Sequence, residues 1–231
     1  MQGAGVRREL FAEFIGALLL ATAVIGSGIM AERLAAGNAA VALLANTLAT
    51  VTTLGVLIAM LAPISGAHFN PAVTLVAMVQ RKLSAATAGS FILVQLAGCC
   101  LGAVLAHGMF ELPLLQASLH SRAGIAQWIS EIVATAGLIL VAFTSPGAKE
   151  AAWRVPAWIA GAYWFTASTS FANPAITVGR SLTDTFSGIR PLDMPGFIVS
   201  QLVGAALGLW LLRTLALSST RKVPEDETCR T

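Results

Sequence analysis

The chain reads as an all-α membrane protein, with six membrane-spanning helices and two re-entrant half-helices in an inverted 3+3 repeat. Three observations lead there. Six long apolar segments occupy about 10–30, 41–61, 89–109, 128–144, 153–170 and 195–215. The tripeptide Asn-Pro-Ala occurs twice, as Asn70-Pro71-Ala72 and Asn173-Pro174-Ala175, each after an apolar stretch. The two halves of the chain also match at further positions.

The apolar segments come first because they set the class. Charged residues make up 11% of the 231 residues against 56% hydrophobic, where soluble domains average about 25% charged. A bilayer core of ~30 Å is crossed by ~20 residues rising ~1.5 Å each. The segments at 128–144 and 153–170 are short and lean on Trp128 and Trp153 as interfacial anchors. Glu13 interrupts the first segment and five more follow, so it reads as a retained helix rather than a cleaved leader. With the N-terminus in the cytoplasm and both termini on one side, the inner segments hold ten basic residues: Arg7, Arg8, Arg81, Lys82, Lys149, Arg154, Arg213, Arg221, Lys222 and Arg230. The outer ones hold four, Arg33, Arg122, Arg180 and Arg190. That imbalance follows the positive-inside rule. It also accounts for the basic balance without nucleic acid as a partner.

The repeat can be followed by residue. Phe91-Ile92-Leu93-Val94-Gln95-Leu96-Ala97-Gly98 aligns with Phe197-Ile198-Val199-Ser200-Gln201-Leu202-Val203-Gly204, and Gly102 with Gly208. The first and fourth segments each carry an acid, Glu13 and Glu131. The copies run over 1–110 and 120–217, a single channel domain of 1–217, followed by a solvated tail at 218–231. Three spans per copy invert the second copy in the membrane. The joining segment, around Leu112 to Ala126, lies on the outer face.

Each Asn-Pro pair opens a half-helix, at about 70–80 and 173–183. Asn caps free N–H groups, and Pro takes the first helical position, where it has no N–H to lose. Two half-helices entering from opposite sides aim their positive ends at one central point. Asn70 and Asn173 stand there, able to cap by oxygen and to offer N–H donors to a solute.

Ser65-Gly66-Ala67-His68-Phe69-Asn70-Pro71-Ala72-Val73 resembles the first signature of the aquaporin and glycerol-facilitator (major intrinsic protein) family, and Phe171-Ala172-Asn173-Pro174-Ala175 the second. The resemblance covers residues 8–217. It implies a right-handed six-helix bundle, one pore per subunit, a homotetramer in membrane lipid, and passive conduction of small neutral solutes without cofactor. His68 resembles the family's loop histidine, with a packed, pore-adjacent role.

Glu13 and Glu131 have two readings: a proton relay, or acceptors for the backbone of the re-entrant loops, with Gln95 and Gln201 in similar work. The second is preferred, because a membrane acid is costly unless partnered. Gly98, Gly102, Gly204 and Gly208 form small-residue sets for close helix crossing. Cys99 and Cys100 read as core thiols, and Cys229 pairs with neither. His107 and His120 show no metal-ligand spacing, and no nucleophile–base pair suggests an enzyme.

Most members of the family place arginine directly after the second Asn-Pro-Ala. Here that position is Ile176. Counting from the asparagines, the outer constriction comprises Thr50, Gly161, Ser170 and Ile176, a set with neither cation nor large aromatic. Such an outlet is wide and mildly polar. Arg180, four residues on, is either a vestibule donor or a surface arginine paired with Asp184. Together with Val178–Ile189, this filter is similar to a bacterial branch associated with arsenic resistance. That implies arsenite-type neutral trihydroxy metalloids, methylated arsenicals among them, and polyols with water. The alternatives are a glycerol or water channel without a metalloid role, and a proton-coupled transporter. The location implied is the bacterial cell membrane.

Overall fold

A computed structural model of the chain describes residues 2–215; the expected tail at 218–231 lies outside the described residues. Eight α-helices follow in order: α1 (Gln2–Leu34), α2 (Ala39–Ser65), α3 (Pro71–Val79), α4 (Ala85–Met109), α5 (Ile125–Thr144), α6 (Ala148–Phe165), α7 (Pro174–Ser181) and α8 (Met194–Thr214). A 3₁₀ turn at Pro191–Asp193 leads into the last. Six are long and two are half-length, as the sequence predicts.

Local chemistry sets most of the boundaries. The Asn38 side chain accepts from the N–H groups of Ala40 and Val41 to start α2, and Ser84 accepts from Thr87 to start α4. Gly66 ends α2 in the left-handed region at φ 88°, where glycine pays no Cβ penalty. One boundary differs from expectation. The fifth span was expected at 153–170, but α6 begins at Ala148 and ends at Phe165. Lys149, Glu150 and Arg154 fall within its first turns, so hydropathy marks its start too late. Thr166 to Ala172 is apolar enough to extend the run, yet it is irregular backbone.

Five helices (α1, α2, α4, α5 and α8) are long and apolar enough to cross a bilayer individually. The sixth, α6, packs against α2 and α5. The bundle is built on two tight crossings, α1 with α4 and α5 with α8. Glycines make them tight. A Cβ on Gly98 would lie 2.5 Å from the Phe14 carbonyl oxygen, and one on Gly102 2.5 Å from that of Leu18. In the other crossing the distances are 2.5 Å from Gly204 to the Ile132 carbonyl and 2.7 Å from Gly208 to that of Ala136. No side chain fits such a gap without separating the helices. Cys99 is buried and Cys100 half-buried on α4, both as free thiols.

Candidate conduction site

The two re-entrant loops are built alike. Each descends from a long helix through strained backbone: Ala67 and Phe69 have positive φ (51° and 49°), and so do Ser170 and Ala172 (52° and 48°). Each such residue costs on the order of 1–3 kcal/mol and persists only where its surroundings impose it. Here a buried carboxylate imposes it. Glu13 accepts from the His68 and Phe69 N–H groups at 2.9 and 2.7 Å, from Ser65 Oγ at 2.6 Å and from Gln95 Nε2 at 2.8 Å. Glu131 accepts from Phe171 and Ala172 at 2.9 and 2.8 Å, from Ser168 Oγ at 2.6 Å and from Gln201 Nε2 at 2.6 Å. Each glutamine also donates to a half-helix threonine, Gln95 to Thr74 and Gln201 to Thr177. Both acids are fully buried with every contact a donor, the arrangement a membrane carboxylate requires.

The loops end at the asparagines. Asn70 Oδ1 accepts from the Ala72 N–H at 2.9 Å, and Asn173 Oδ1 from Ala175 and Ile176 at 2.9 and 3.3 Å. Pro71 and Pro174 take the first helical positions. The amide nitrogens then cross over. Asn70 Nδ2 donates to the Ala172 carbonyl at 2.7 Å, and Asn173 Nδ2 to the Phe69 carbonyl at 2.8 Å. One amide hydrogen of each asparagine is therefore committed to the opposite loop, a bond the sequence did not reveal. The other hydrogen is left for a solute.

Beside this pair runs a continuous cavity of about 390 Å³. Apolar side chains form most of its wall, including Leu20, Val24, Leu54, Val73, Leu138 and Val155. Toward one end it is lined by His68, Lys82, Leu83 and Phe143, with Lys82 Nζ 4.8 Å from the Phe143 ring centre. His68 Nδ1 lies 3.1 Å from Thr74 Oγ1. Toward the opposite end it is lined by Thr50, Tyr163, Ser170, Phe171, Ile176 and Arg180. Thr50 Oγ1 and Ser170 Oγ are buried without a hydrogen-bond partner. The lining contains no carboxylate.

Two expectations about the outer constriction are corrected. Gly161 is not on the cavity; it is exposed on the outer surface of α6, and a Cβ there would meet only the Phe165 ring. Ile159 and Tyr163 line the cavity instead. Counting twelve residues back from Asn173 crosses the irregular segment 166–172, and helical phase is lost there. A two-residue slip on a helix turns a side chain by about 200°. The second correction concerns charge. Arg180 makes no pair with Asp184, whose carboxylate instead accepts from the Leu119 N–H at 2.8 Å. α7 stops at Ser181, so Asp184 is not on the same helical face. Arg180 is buried, donates through Nε to the Ser187 carbonyl, and sets its guanidinium carbon 3.4 Å from the centre of the Phe171 ring. The outer region thus holds both a cation and large aromatics.

Arg122, in the segment between α4 and α5, counted in the sequence only as an outer basic residue, with no role at the site. It donates from Nε to Gly188 O at 2.7 Å, and more loosely to Ser168 O and Phe186 O. Its guanidinium carbon lies 5.2 Å from the Phe171 ring centre. Burial lowers its pKa from the usual arginine value. His107 is occupied structurally, within hydrogen-bond distance of Leu114 O at 3.0 Å and Thr183 Oγ1 at 2.8 Å. No cluster of metal-ligating side chains occurs among the described residues.

This geometry defines a multi-pass membrane channel. Residues 1–159 match the family described as major intrinsic protein. The chain is 49% identical over 217 residues to Aquaglyceroporin AqpS of Rhizobium meliloti (strain 1021), covering 93% of each. It is 28% identical over 232 residues to human Aquaporin-5, covering 94% of this chain and 85% of that protein. The aquaglyceroporin of Plasmodium falciparum has the same fold, with a TM-score of 0.66 at 17% identity over 91% of this chain and 97% of that one. The chain belongs to the major intrinsic protein family. It is a passive channel for small solutes rather than an enzyme.

Proposed function

We propose that the protein conducts neutral polyhydroxy solutes: glycerol-sized polyols and trihydroxy metalloids of the arsenous acid type, with water. One observation carries this reading. A largely apolar, carboxylate-free cavity presents polar groups only at intervals, among them the unpartnered hydroxyls of Thr50 and Ser170 and the free amide hydrogens of Asn70 and Asn173. An apolar wall with sparse donors and acceptors suits a solute that has a hydroxyl for each polar station and no charge to desolvate. Cations meet two converging helix N-termini and are repelled. A 49% identical relative that bears the name aquaglyceroporin supports the polyol part.

The pore, the domain and the assembly belong to the same reading. The pore is the region around Asn70, Pro71, Ala72, Asn173, Pro174 and Ala175, held by Glu13, Glu131, Gln95, Gln201 and His68. The domain is 1–217, built from copies at 1–110 and 120–217. The protein sits in a bacterial cell membrane as a homotetramer with both termini cytoplasmic, consistent with the basic residues near the terminal face.

Stopped-flow uptake into proteoliposomes tests it, comparing water, glycerol and arsenite in the parent protein and in Asn173→Ala. Glycerol and arsenite should enter the parent faster than protein-free liposomes, independently of an imposed pH gradient, and more slowly in the variant. Uptake driven by the proton gradient would replace the channel with a coupled transporter.

A further inference from the structure

Most family members carry a cation directly after the second Asn-Pro-Ala; here that position is Ile176, and the constriction counted from the sequence holds no cation. The guanidinium of Arg180 changes that picture. Arg180 is one helical turn beyond Ile176 on α7, about 6 Å further along the axis. Side chains on a helix lean toward its N-terminus, and the N-terminus of α7 is at the central asparagine. A long side chain at 180 therefore reaches back toward the level of residue 176. The contacts agree with this. The Arg180 guanidinium carbon lies 3.4 Å from the centre of the Phe171 ring, and Phe171 is only two residues before Asn173. Arg180 lines the same cavity as Thr50, Tyr163, Ser170 and Ile176.

We propose that Arg180 is the specificity-determining residue of the outer constriction, offering its terminal guanidinium N–H groups to two oxygens of one neutral polyhydroxy solute. The inference rests on the neutral-solute reading above and names the group that selects within it. Three features fix the arginine in that posture. The Phe171 ring takes the guanidinium on its π-face. The Ser187 carbonyl accepts from Nε, which leaves the two terminal nitrogens without a protein acceptor among the described residues. Arg122 occupies the carbonyls of Ser168, Phe186 and Gly188. Its own guanidinium carbon is 5.2 Å from the Phe171 ring centre, so a second positive charge stands by that ring and disfavours Arg180 on its own side by like-charge repulsion. Arg122 is then a positioning residue. Arg180 has no carboxylate partner among the described residues, so its charge is not neutralised by a direct pair.

A planar fork of donors matches paired oxygens in one plane, as adjacent hydroxyls of a polyol or two hydroxyls of a trihydroxy centre present them. Ile176 alongside contributes bulk without a donor. Selection therefore combines one cationic fork with the hydroxyls of Thr50 and Ser170.

The test is a size series in proteoliposomes (glycerol, erythritol and xylitol, with arsenite in parallel) for the parent, Arg180→Gln, Arg180→Lys and the double variant Ile176→Arg with Arg180→Gln. Thermal unfolding in detergent is followed on each. Arg180→Gln should raise the xylitol-to-glycerol uptake ratio severalfold while the melting temperature stays near that of the parent. Arg180→Lys, which keeps charge and length but loses the fork, should fall between the two. Moving the arginine to position 176 should bring the ratio back toward the parent value. Equal ratios in the parent, Arg180→Gln and Arg180→Lys would overturn the proposal and reduce Arg180 to a packing residue. If Arg180→Gln fails to fold, an unaltered ratio in Arg180→Lys overturns it equally, and a raised one upholds it. A parent closed to every solute in the series, with an Arg180→Gln variant that admits them, would sink the neutral-solute reading while keeping Arg180 as the residue that decides passage.

Discussion

His68 and Phe171 occupy matching slots in the two re-entrant loops, each two residues before an asparagine. Each ring meets a matching phenylalanine edge to face: His68 with Phe91 at 5.8 Å between centres, Phe171 with Phe197 at 5.0 Å. Around them everything mechanical is duplicated: carboxylate, glutamine, threonine, serine and positive-φ turns. The slot residue itself is not duplicated. His68 places Nδ1 3.1 Å from Thr74 and borders the cavity near Lys82. Phe171 spends its π-face on Arg180, with Arg122 nearby. The duplicated parts hold the loops in shape. The parts that differ face the solute and give the two ends of the pathway different chemistry.

Four sets of substitutions probe that division, beginning with the largest effect. Gly98→Val and Gly204→Val should each prevent assembly, because the new Cβ meets a backbone carbonyl at 2.5 Å. Overpacking of this kind costs ~3 kcal/mol or more, read as lost yield of folded protein in detergent. A mild effect at one glycine and a severe one at the other would break the equivalence of the two crossings. Next, Glu13→Gln and Glu131→Gln should each lower stability by on the order of 2–3 kcal/mol, since an NH₂ replaces an oxygen that accepts from buried N–H groups. Comparable drops in melting temperature are expected in the two variants. Solute uptake by surviving protein should remain indifferent to a pH gradient.

Phe171→Leu follows. It removes the face on which Arg180 rests and the edge contact with Phe197, a loss of about 1–3 kcal/mol. The larger consequence should be in selectivity, with the solute-size profile shifting toward that of Arg180→Gln. His68→Leu at the matching slot should cost similar stability and leave the size profile alone. A shift of equal size in both would place selection at both ends. Smallest of all, Thr50→Val should change stability by less than about 1 kcal/mol, because Oγ1 bonds nothing in the protein. Its trace should be slower glycerol uptake at unchanged melting temperature.

The duplicated machinery was readable in the sequence because it is local or periodic. The two Asn-Pro-Ala tripeptides announce their own caps. The gapless alignment from Phe91 to Gly98 with Phe197 to Gly204 pairs the glutamines and glycines, and an acid within an apolar run needs donors. What escaped lies where the backbone is irregular. The count to Gly161 ran through the 166–172 segment and lost helical phase. Arg180 with Asp184 looked like a helical i,i+4 pair, but the helix ends at Ser181. Arg122 belongs to a connecting segment whose position is set by carbonyls in a distant loop, a contact without sequence period.

The crossed amides also bear on the order in which the protein is made. The Phe69 carbonyl accepts from Asn173, and the Ala172 carbonyl from Asn70, more than a hundred residues apart along the chain. When the first half emerges from the ribosome and inserts, its loop carries a carbonyl whose partner does not yet exist. An orphan acceptor at that depth is costly, so the early loop stays hydrated or incompletely closed until α7 arrives. Closure of the first loop is thereby deferred to the last stages of biogenesis. The two halves expressed as separate chains should each insert yet remain sensitive to protease at their loops, and gain protection only when made together.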